Sequence, residues 1–151
     1  MVYLDKHNII SGKEGSIFMT VDGRNINLIQ TRQVEASLKL TKKEFAVLNK
    51  RIDQNKITGS KGEGKMNLYR MSSDFMKIAK QYLDSGQFPD VTLKVTNDDP
   101  QSFVGRNTVL LKGVVFDTIP LTSLDVDKEG LDEDVDFTFD DFDILDEFKA
   151  V

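Results

Sequence analysis

The 151-residue sequence contains no cysteine, no tryptophan and a single histidine, His7. The lack of cysteine excludes disulfide bonds, cysteine nucleophiles and thiolate metal sites. One histidine, expected to lie in an extended N-terminal arm, supports neither a Ser-His-Asp arrangement nor a histidine-based metal site. Paired carboxylates for glycoside hydrolysis remain an alternative because acids are abundant, but no aromatic platform for a sugar is evident. We therefore expect a protein that is not an enzyme and holds no cofactor.

Long apolar runs are also missing, so we expect no membrane span. The first eight residues, Met1 to Asn8, contain no apolar segment typical of a secretory signal, and we expect none. With 39% hydrophobic and 30% charged residues, the composition is that of a soluble globular chain. Its length predicts a single domain, residues 1–151, large enough for a two-layer core.

Charge is divided unevenly along the chain. Residues 125–151 contain 12 acidic and two basic residues, a net charge of −10, whereas residues 1–124 carry +5. Such a bipolar chain suggests a charged partner surface. The acidic residues proposed for that surface are Asp125, Asp127, Asp136, Asp140 and Asp141.

Two sequence motifs come close to known ligand sites. Residues 125–136 place acids at several positions of an EF-hand loop, but the twelfth is Asp136 instead of Glu and no amphipathic helices flank the loop. A weak Ca²⁺ site remains an alternative. Residues 59–66 lack a P-loop's Ser or Thr after the lysine, because Met66 stands there, so a flexible glycine-rich hairpin base is the better interpretation.

Alternation of apolar and polar residues predicts a mainly β fold. Val135, Phe137 and Phe139 alternate with acids and a threonine, and residues 30–40 alternate over four pairs. In the second stretch we expect Val34, Ala36, Leu38 and Leu40 to point into the core. Further strands are predicted at 16–21, 24–29, 62–71, 90–96 and 107–116, giving seven or eight in all. An Asp22-Gly23 hairpin turn joins the first two, and Gly113 marks a bulge or bend in the last.

One amphipathic helix is predicted after Ser73. An apolar stripe runs through Phe75, Ile78, Ala79, Tyr82 and Leu83, and the helix ends at Ser85-Gly86. Seven or eight strands with one helix predict two packed antiparallel sheets, a β-sandwich or barrel, with one flanking helix.

A basic segment with few apolar residues, 42–62, is predicted to be a protruding hairpin or long loop, called the arm below. A solvated surface loop is one interpretation; contact with a neighbouring subunit is the other. We expect this arm to be poorly ordered in a monomer. Its candidate contact residues are Phe45, Val47, Leu48, Lys50, Arg51, Ile52 and Ile57.

Three stretches together resemble the tail tube proteins of contractile phage tails, of the XkdM-like type found in PBSX-type defective prophages and phage-tail-like bacteriocins. They are residues 9–15 (IISGKEG), residues 57–64 (ITGSKGEG), and residues 123–127 (SLDVD) with 137–143 (FTFDDFD). The order and spacing match over nearly the whole chain. Residues 1–6 and 145–151 lie outside the shared motifs, and we expect the latter to form a mobile tail.

The resemblance implies a structural subunit of two packed sheets and a helix. It implies hexameric rings that stack into a hollow tube inside a contractile sheath. Further implied partners are baseplate or tube-initiator, tape-measure and terminator proteins, with DNA in the lumen only in an infectious phage. The protein would be made in the bacterial cytoplasm, assembled into a tail particle and released on lysis. A monomeric ligand- or Ca²⁺-binding β-sandwich is the alternative.

In that family one face of an inner sheet lines the channel. Residues 30–40 form the best candidate strand for that wall in this sequence. The residues expected to face the lumen are Gln33, Glu35, Ser37 and Lys39.

Overall fold

The computed structural model of the protein describes residues 6–8, 12–13, 15–28, 31–69, 73–102, 104–122, 124–127 and 130–148. Within them lie one α-helix, nine strands and a short 3-10 helix, Lys6–Asn8. The strands are β1 (Gly15–Val21), β2 (Arg24–Asn27), β3 (Thr31–Phe45), β4 (Gln54–Tyr69), β5 (Val91–Asp98), β6 (Arg106–Lys112), β7 (Val115–Phe116), β8 (Asp132–Phe139) and β9 (Asp141–Asp146); the helix is α1 (Asp74–Ser85).

The strands form two antiparallel sheets. The five-stranded sheet has the order β2-β1-β5-β6-β9, and the four-stranded sheet has the order β3-β4-β8-β7. Apolar residues at alternate positions of both sheets meet in one core, which includes Met19, Leu93, Met66, Val135 and Phe137. The predicted fold class, mainly β with two packed sheets and one flanking helix, is confirmed.

Helix α1 packs on the core through the first half of its apolar stripe. Phe75 and Ile78 are buried, and the Phe75 ring meets the edge of Phe116 at 5.2 Å between centroids. Gly86 ends the helix with φ 74°, and its N–H donates to the carbonyl of Tyr82. The second half of the stripe is not covered, because Tyr82 and Leu83 lie beyond the core and are exposed.

Two turns show why their residues were informative in the sequence. Asp22 and Gly23 have φ of 48° and 86°, as a type I′ turn requires. Gly113, with φ 64°, lies where the chain leaves β6 in one sheet and enters β7 in the other. The apolar run 107–116 is therefore two strands in different sheets, joined by the bend that the glycine permits.

The two longest strands, β3 and β4, pair along their whole length. The first pair is Thr31 with Leu68, and the last pair is Phe45 with Gln54. Strand β8 pairs with β4 only between Gly62 and Tyr69. The part of the hairpin beyond Gly62 is therefore a two-stranded ribbon that extends past the sandwich. The arm, residues 42–62, forms the outer part of this ribbon, and in the structure most of it is paired strand.

The core assignment for β3 needs correction. Alternation correctly placed Val34, Ala36, Leu38 and Leu40 on one face, but only Val34 packs against the core. Leu38 is 48% exposed and Leu40 is 44% exposed. The reason is tertiary: at these positions the strand has run past the edge of the opposing five-stranded sheet, so no second layer covers it.

The C-terminal end contains a strand that the sequence patterns did not separate from β8. Strand β9 continues to Asp146, so the first two residues of the expected tail, 145–151, are in a strand. Residues 149–151 lie outside the described residues.

Candidate assembly surfaces

The four-stranded sheet turns one side to the core and the other, called the polar face below, to solvent. All four residues expected to line the lumen lie on the polar face. Their partners on β4 are Asn67 for Gln33, Lys65 for Glu35, Glu63 for Ser37 and Lys61 for Lys39. Strand β8 adds Asp134, opposite Asn67, and Asp136, opposite Lys65. The alternation of β3 therefore yields one continuous hydrophilic surface across three strands.

Charges on the polar face are mixed and partly paired. The Lys65 Nζ lies 3.2 Å from Glu35 Oε1, and both side chains are more than half exposed. Such an exposed pair contributes little to stability. The pair matters for the charge of the polar face, because the opposite charges of Glu35 and Lys65 cancel between the acids of β8 and the lysines of the arm.

A hydrogen-bonded cluster lies at the end of the polar face remote from the arm. Arg32 Nη1 donates to Asn67 Oδ1 and to Asp132 Oδ2, both at 3.3 Å. Asn67 Nδ2 donates to Asp132 Oδ2 at 3.1 Å and to Asp134 Oδ1 at 2.7 Å. The Arg32 guanidinium also lies over the Tyr69 ring at 5.3 Å. The sequence patterns did not single out this cluster, because Arg32 and Asp132 are 100 positions apart and only the strand register brings them together.

On the opposite face of the same sheet, two glycines of β4 lie beneath aromatic rings of β8. A Cβ on Gly62 would collide with the ring of Phe139, and one on Gly64 with the ring of Phe137. The Gly64 position would also bring a Cβ to 2.7 Å from the Glu35 carbonyl oxygen. The glycine-rich stretch 59–64 thus belongs to a strand and gives the rings of β8 space against β4.

Six of the seven candidate contact residues of the arm are exposed to solvent, and Val47 is half-buried. Phe45 is the last residue of β3, and Ile57 belongs to β4. The other five lie in the tip, residues 46–53, where Leu48 is 88% exposed and Ile52 is 82% exposed. The tip is a compact turn: the Lys50 N–H donates to the Val47 carbonyl at 3.2 Å, and Asn49 has φ 67°.

The five acidic residues proposed as one partner surface lie in three places. Asp125 and Asp127 belong to the exposed turn 124–127, called the acidic turn below, where the Asp127 N–H donates to Asp125 Oδ1 at 3.0 Å. Asp136 is on the polar face. Asp140 and Asp141 join β8 to β9 at the opposite end of β8. A single contact with a partner cannot use all five.

Strand β9 carries a further set of acids at the edge of the five-stranded sheet. The Lys112 ammonium donates to the Asp143 carboxylate, and this hydrogen bond with the attraction between the charges raises the pKa of Lys112 above its ordinary value. Arg106 Nε lies 3.2 Å from Asp146 Oδ2. These pairs join β9 to β6.

The four-stranded sheet has unpaired backbone along both of its edges, at β3 and at the β7–β8 end. Among the described strands, β3 pairs with β4 alone, which leaves one edge of a 15-residue strand unpaired. At the other side β7 covers only Phe137 and Thr138 of β8. Long free edges invite pairing with another chain.

In the described part of the chain, no group of three or more His, Cys, Asp or Glu side chains is arranged to hold a metal ion. The same residues include no helix long and apolar enough to cross a membrane. Every buried side-chain nitrogen or oxygen among them has a hydrogen-bond partner.

Comparison with known proteins identifies the family. The family model described as phage tail tube protein matches residues 2–146. The phage-like element PBSX protein XkdM of Bacillus subtilis strain 168 is 39% identical over 141 residues, which cover 93% of each chain.

Solved structures share the fold at low sequence identity. A chain of an extracellular contractile injection system, solved as a PVC sheath-tube complex in the extended state, matches with a TM-score of 0.64 at 8% identity, covering 90% of each chain. A chain of the six-fold symmetrised anti-feeding prophage baseplate matches with a TM-score of 0.62 at 8% identity, covering 87% of this chain and 92% of that one. The chain therefore belongs to the phage tail tube protein family, and its function is that of a tail tube subunit.

Proposed function

We propose that six copies of this chain join side by side through their four-stranded sheets into a ring, and that such rings stack into a hollow tube. The free edge of β3 carries this proposal. An unpaired strand of 15 residues is an aggregation hazard in a monomer, whereas pairing with the β7–β8 edge of the next copy removes both edges at once. Repeating that contact around a rotation axis closes a barrel.

The proposed ring has dimensions that suit a channel. Six four-stranded sheets supply 24 strands. With strands about 4.8 Å apart and tilted by about 40°, the barrel would measure about 50 Å across at the backbone. A barrel of this size leaves an open lumen, because side chains fill only the interiors of much smaller barrels.

In this ring the polar face lines the lumen. The other side of the sheet packs on the core, so the face with Gln33, Glu35, Ser37 and Lys39 is the one available to a channel. The five-stranded sheet and α1 would then form the outer wall, where a sheath surrounds the tube.

The arm would make contacts between subunits. It extends beyond the core, its strands are exposed from Lys42 to Phe45 and from Gln54 to Lys61, and it ends in a tip with apolar and basic side chains. Its position at one end of the sheet suits a contact with a copy in the same ring or the next.

Family membership suggests the remaining partners and the location. They are a tail sheath protein outside the tube, baseplate or initiator proteins at one end, terminator proteins at the other, and a tape-measure protein during assembly. DNA would cross the lumen only in an infectious particle. Assembly would take place in the bacterial cytoplasm, with release of the particle on lysis. Membership in a structural family also favours a role without catalysis.

Electron microscopy of the purified chain tests the proposal. We expect end-on views with six-fold symmetry and a central hole, together with hollow tubes of variable length. The monomeric β-sandwich alternative predicts particles of about 17 kDa with no ring under any condition. Rings with another rotational order would contradict the hexamer while leaving the tube intact.

A further inference from the structure

The structure places a second pair of complementary surfaces at the two ends of the four-stranded sheet. We infer that the tip of the arm, residues 46–53, docks on the acidic turn, residues 124–127, of a copy in the adjacent ring. This inference rests on the proposed stacking of rings. It assigns the contact between rings to two short segments.

The tip combines apolar and basic side chains on a small turn. Leu48 and Ile52 are more than four-fifths exposed, and Lys50 and Arg51 lie between them, both exposed. Asp53 is the one acid of the tip, and the neighbouring ribbon adds Lys42, Lys43, Lys56 and Lys61 against Glu44. Two large apolar side chains in such exposed positions are typical of a surface that a partner covers.

The acidic turn has the matching composition. Leu124 is 95% exposed and Val126 is fully exposed, and Asp125 and Asp127 alternate with them. The hydrogen bond from the Asp127 N–H to Asp125 Oδ1 closes the turn. The acidic turn thus has two exposed apolar side chains, as the tip does, and it carries two carboxylates where the tip carries two basic groups.

These two surfaces lie at opposite ends of one molecule. The tip precedes Gln54, the first residue of β4, whereas the acidic turn leads into β8 beside Tyr69, the last residue of β4. Strand β4 has 16 residues and spans about 50 Å. Val126 is four residues from Gly130, whose position adjoins the Tyr69 ring, and four residues reach at most about 14 Å. The tip and the turn therefore cannot meet within one chain, but they can meet head to tail between chains.

The other acidic candidates are less suitable for this contact. Asp136 lies on the polar face, and Asp140 and Asp141 lie at the end of β8 nearer the arm. A head-to-tail contact repeated from ring to ring needs unlike surfaces at opposite ends, which only the acidic turn offers among the five. Opposite charges would steer the two surfaces together, and burial of the four apolar side chains would hold them.

Cysteine crosslinking tests the contact directly because the chain has no cysteine of its own. Tubes of Leu48→Cys/Val126→Cys are treated with a short bifunctional maleimide and separated under denaturing conditions. We expect a ladder of linked chains that reaches many copies. A matched pair, Leu48→Cys/Leu83→Cys, replaces Val126 by another exposed position, on α1, and should yield little beyond monomer.

The outcomes separate this inference from the proposed function. Tubes of the first variant without a ladder overturn the docking assignment while the tube remains. A ladder from the matched pair alone places the tip on the helix instead and also overturns it. If the unmodified chain formed neither rings nor tubes, that result would contradict the proposed function itself.

A charge exchange covers the case in which the cysteine variants do not assemble. Arg51→Glu and Asp127→Arg should each slow tube growth at low salt by at least about tenfold, a change within the range of electrostatic steering. Asp125 is kept, because it closes the turn. The double variant Arg51→Glu/Asp127→Arg should recover to within about threefold of the original rate. Arg51→Glu/Asp140→Arg, with the same net charge, should remain slow. Equal recovery in both double variants, or in neither, rejects the contact.

Discussion

At the scale of single residues, the glycines of β4 show how one missing side chain shapes the sheet. Gly62 and Gly64 lie opposite Phe139 and Phe137, and the rings occupy the space where side chains of β4 would stand. Both rings are buried, so they cannot move to solvent without opening the core. The sheet thereby buries the large apolar rings of Phe137 and Phe139, although the two glycines opposite them favour strand structure only weakly.

We expect Gly64→Ala to lower the free energy of unfolding by about 1–3 kcal/mol, because the methyl group would overpack a site bounded by a ring and a backbone carbonyl. Chemical denaturation of the chain at concentrations too low for assembly measures the change. Gly59→Ala on the same strand is the control, since its Cβ would meet only the Thr41 Cβ, at 4.0 Å. Equal effects of the two substitutions would show that loss of glycine as such matters, rather than the ring.

Asp22 is a second residue whose contacts lead to a prediction. Gln81 Nε2 donates to its Oδ2 at 3.1 Å, and the Asp90 N–H donates to its Oδ1 at 3.1 Å. The Gln81 hydrogen bond, followed by the one from Asp90, lowers the pKa of Asp22 below its ordinary value. Because the folded-state pKa is depressed, the carboxylate stabilises the fold above the ordinary pKa, and this contribution disappears as the pH falls through the folded-state pKa.

An NMR titration of the Asp22 carboxyl should therefore give a pKa below that of an unperturbed aspartate. Gln81→Ala should raise this pKa towards the ordinary value, because the largest cause of the shift is removed. Gln87→Ala, just beyond the same helix, should leave it unchanged. An Asp22 pKa that is the same in the Gln81 variant would remove the amide as its cause.

At the scale of elements, the β3–β4 hairpin combines two functions in one pair of strands. Near the core, Val34 and Met66 lie on the apolar face and anchor the pair. Further out, the same alternation continues without a covering layer, and Leu38 and Leu40 remain half exposed. Apolar residues left at this position are available to a neighbouring copy, which fits a strand that is completed by assembly.

Shortening the arm should separate folding from assembly. Phe45 and Gln54 are paired, so Ala46–Asp53 can be replaced by Asn-Gly, the preferred two-residue hairpin turn. We expect the free energy of unfolding of the monomer to change by no more than about 0.5 kcal/mol, since the removed residues lie on the surface. Long tubes should be absent in electron micrographs. Tubes that grow as fast and as long as those of the full-length chain would show that the tip has no part in assembly.

At the scale of the whole molecule, each sheet has a different role. The five-stranded sheet carries polar and charged residues on its outer side and pairs its last strand through Lys112 and Arg106. The four-stranded sheet has the longest edge strand among the described residues, β3, and the polar face. Because the five-stranded sheet covers the core of each subunit, the four-stranded sheets of several copies can pair edge to edge into a closed barrel without exposing any subunit's core.

Accessibility of Ser37 tests the orientation of the subunit in the tube. In Ser37→Cys, a small maleimide should label the monomer and the tube, whereas a maleimide-coated particle wider than the channel should label the monomer alone. Ser16→Cys serves as the control, because Ser16 is exposed on the outer side of the five-stranded sheet and should react with both reagents in both states. Labelling of Ser37→Cys along the length of tubes by the wide particle would place the polar face outside.

The sequence by itself determined those features that depend on near neighbours along the chain. The alternation in residues 30–40 and 135–140, the helix after Ser73 and the Asp22-Gly23 turn all follow from local periodicity and from the backbone conformations that glycine permits. Combined motifs along almost the whole chain also indicated the family.

The tertiary structure alone decided how these elements cover one another. Alternation assigns a side chain to a face but does not show where the opposing sheet ends, so the exposure of Leu38 and Leu40 was not predictable. The division of 107–116 between two sheets, the cluster of Arg32 with Asp132, and the scattering of five acids over three sites all depend on strand register and on contacts between distant residues. Such contacts bring together positions up to 100 residues apart, and no local pattern in the sequence records them.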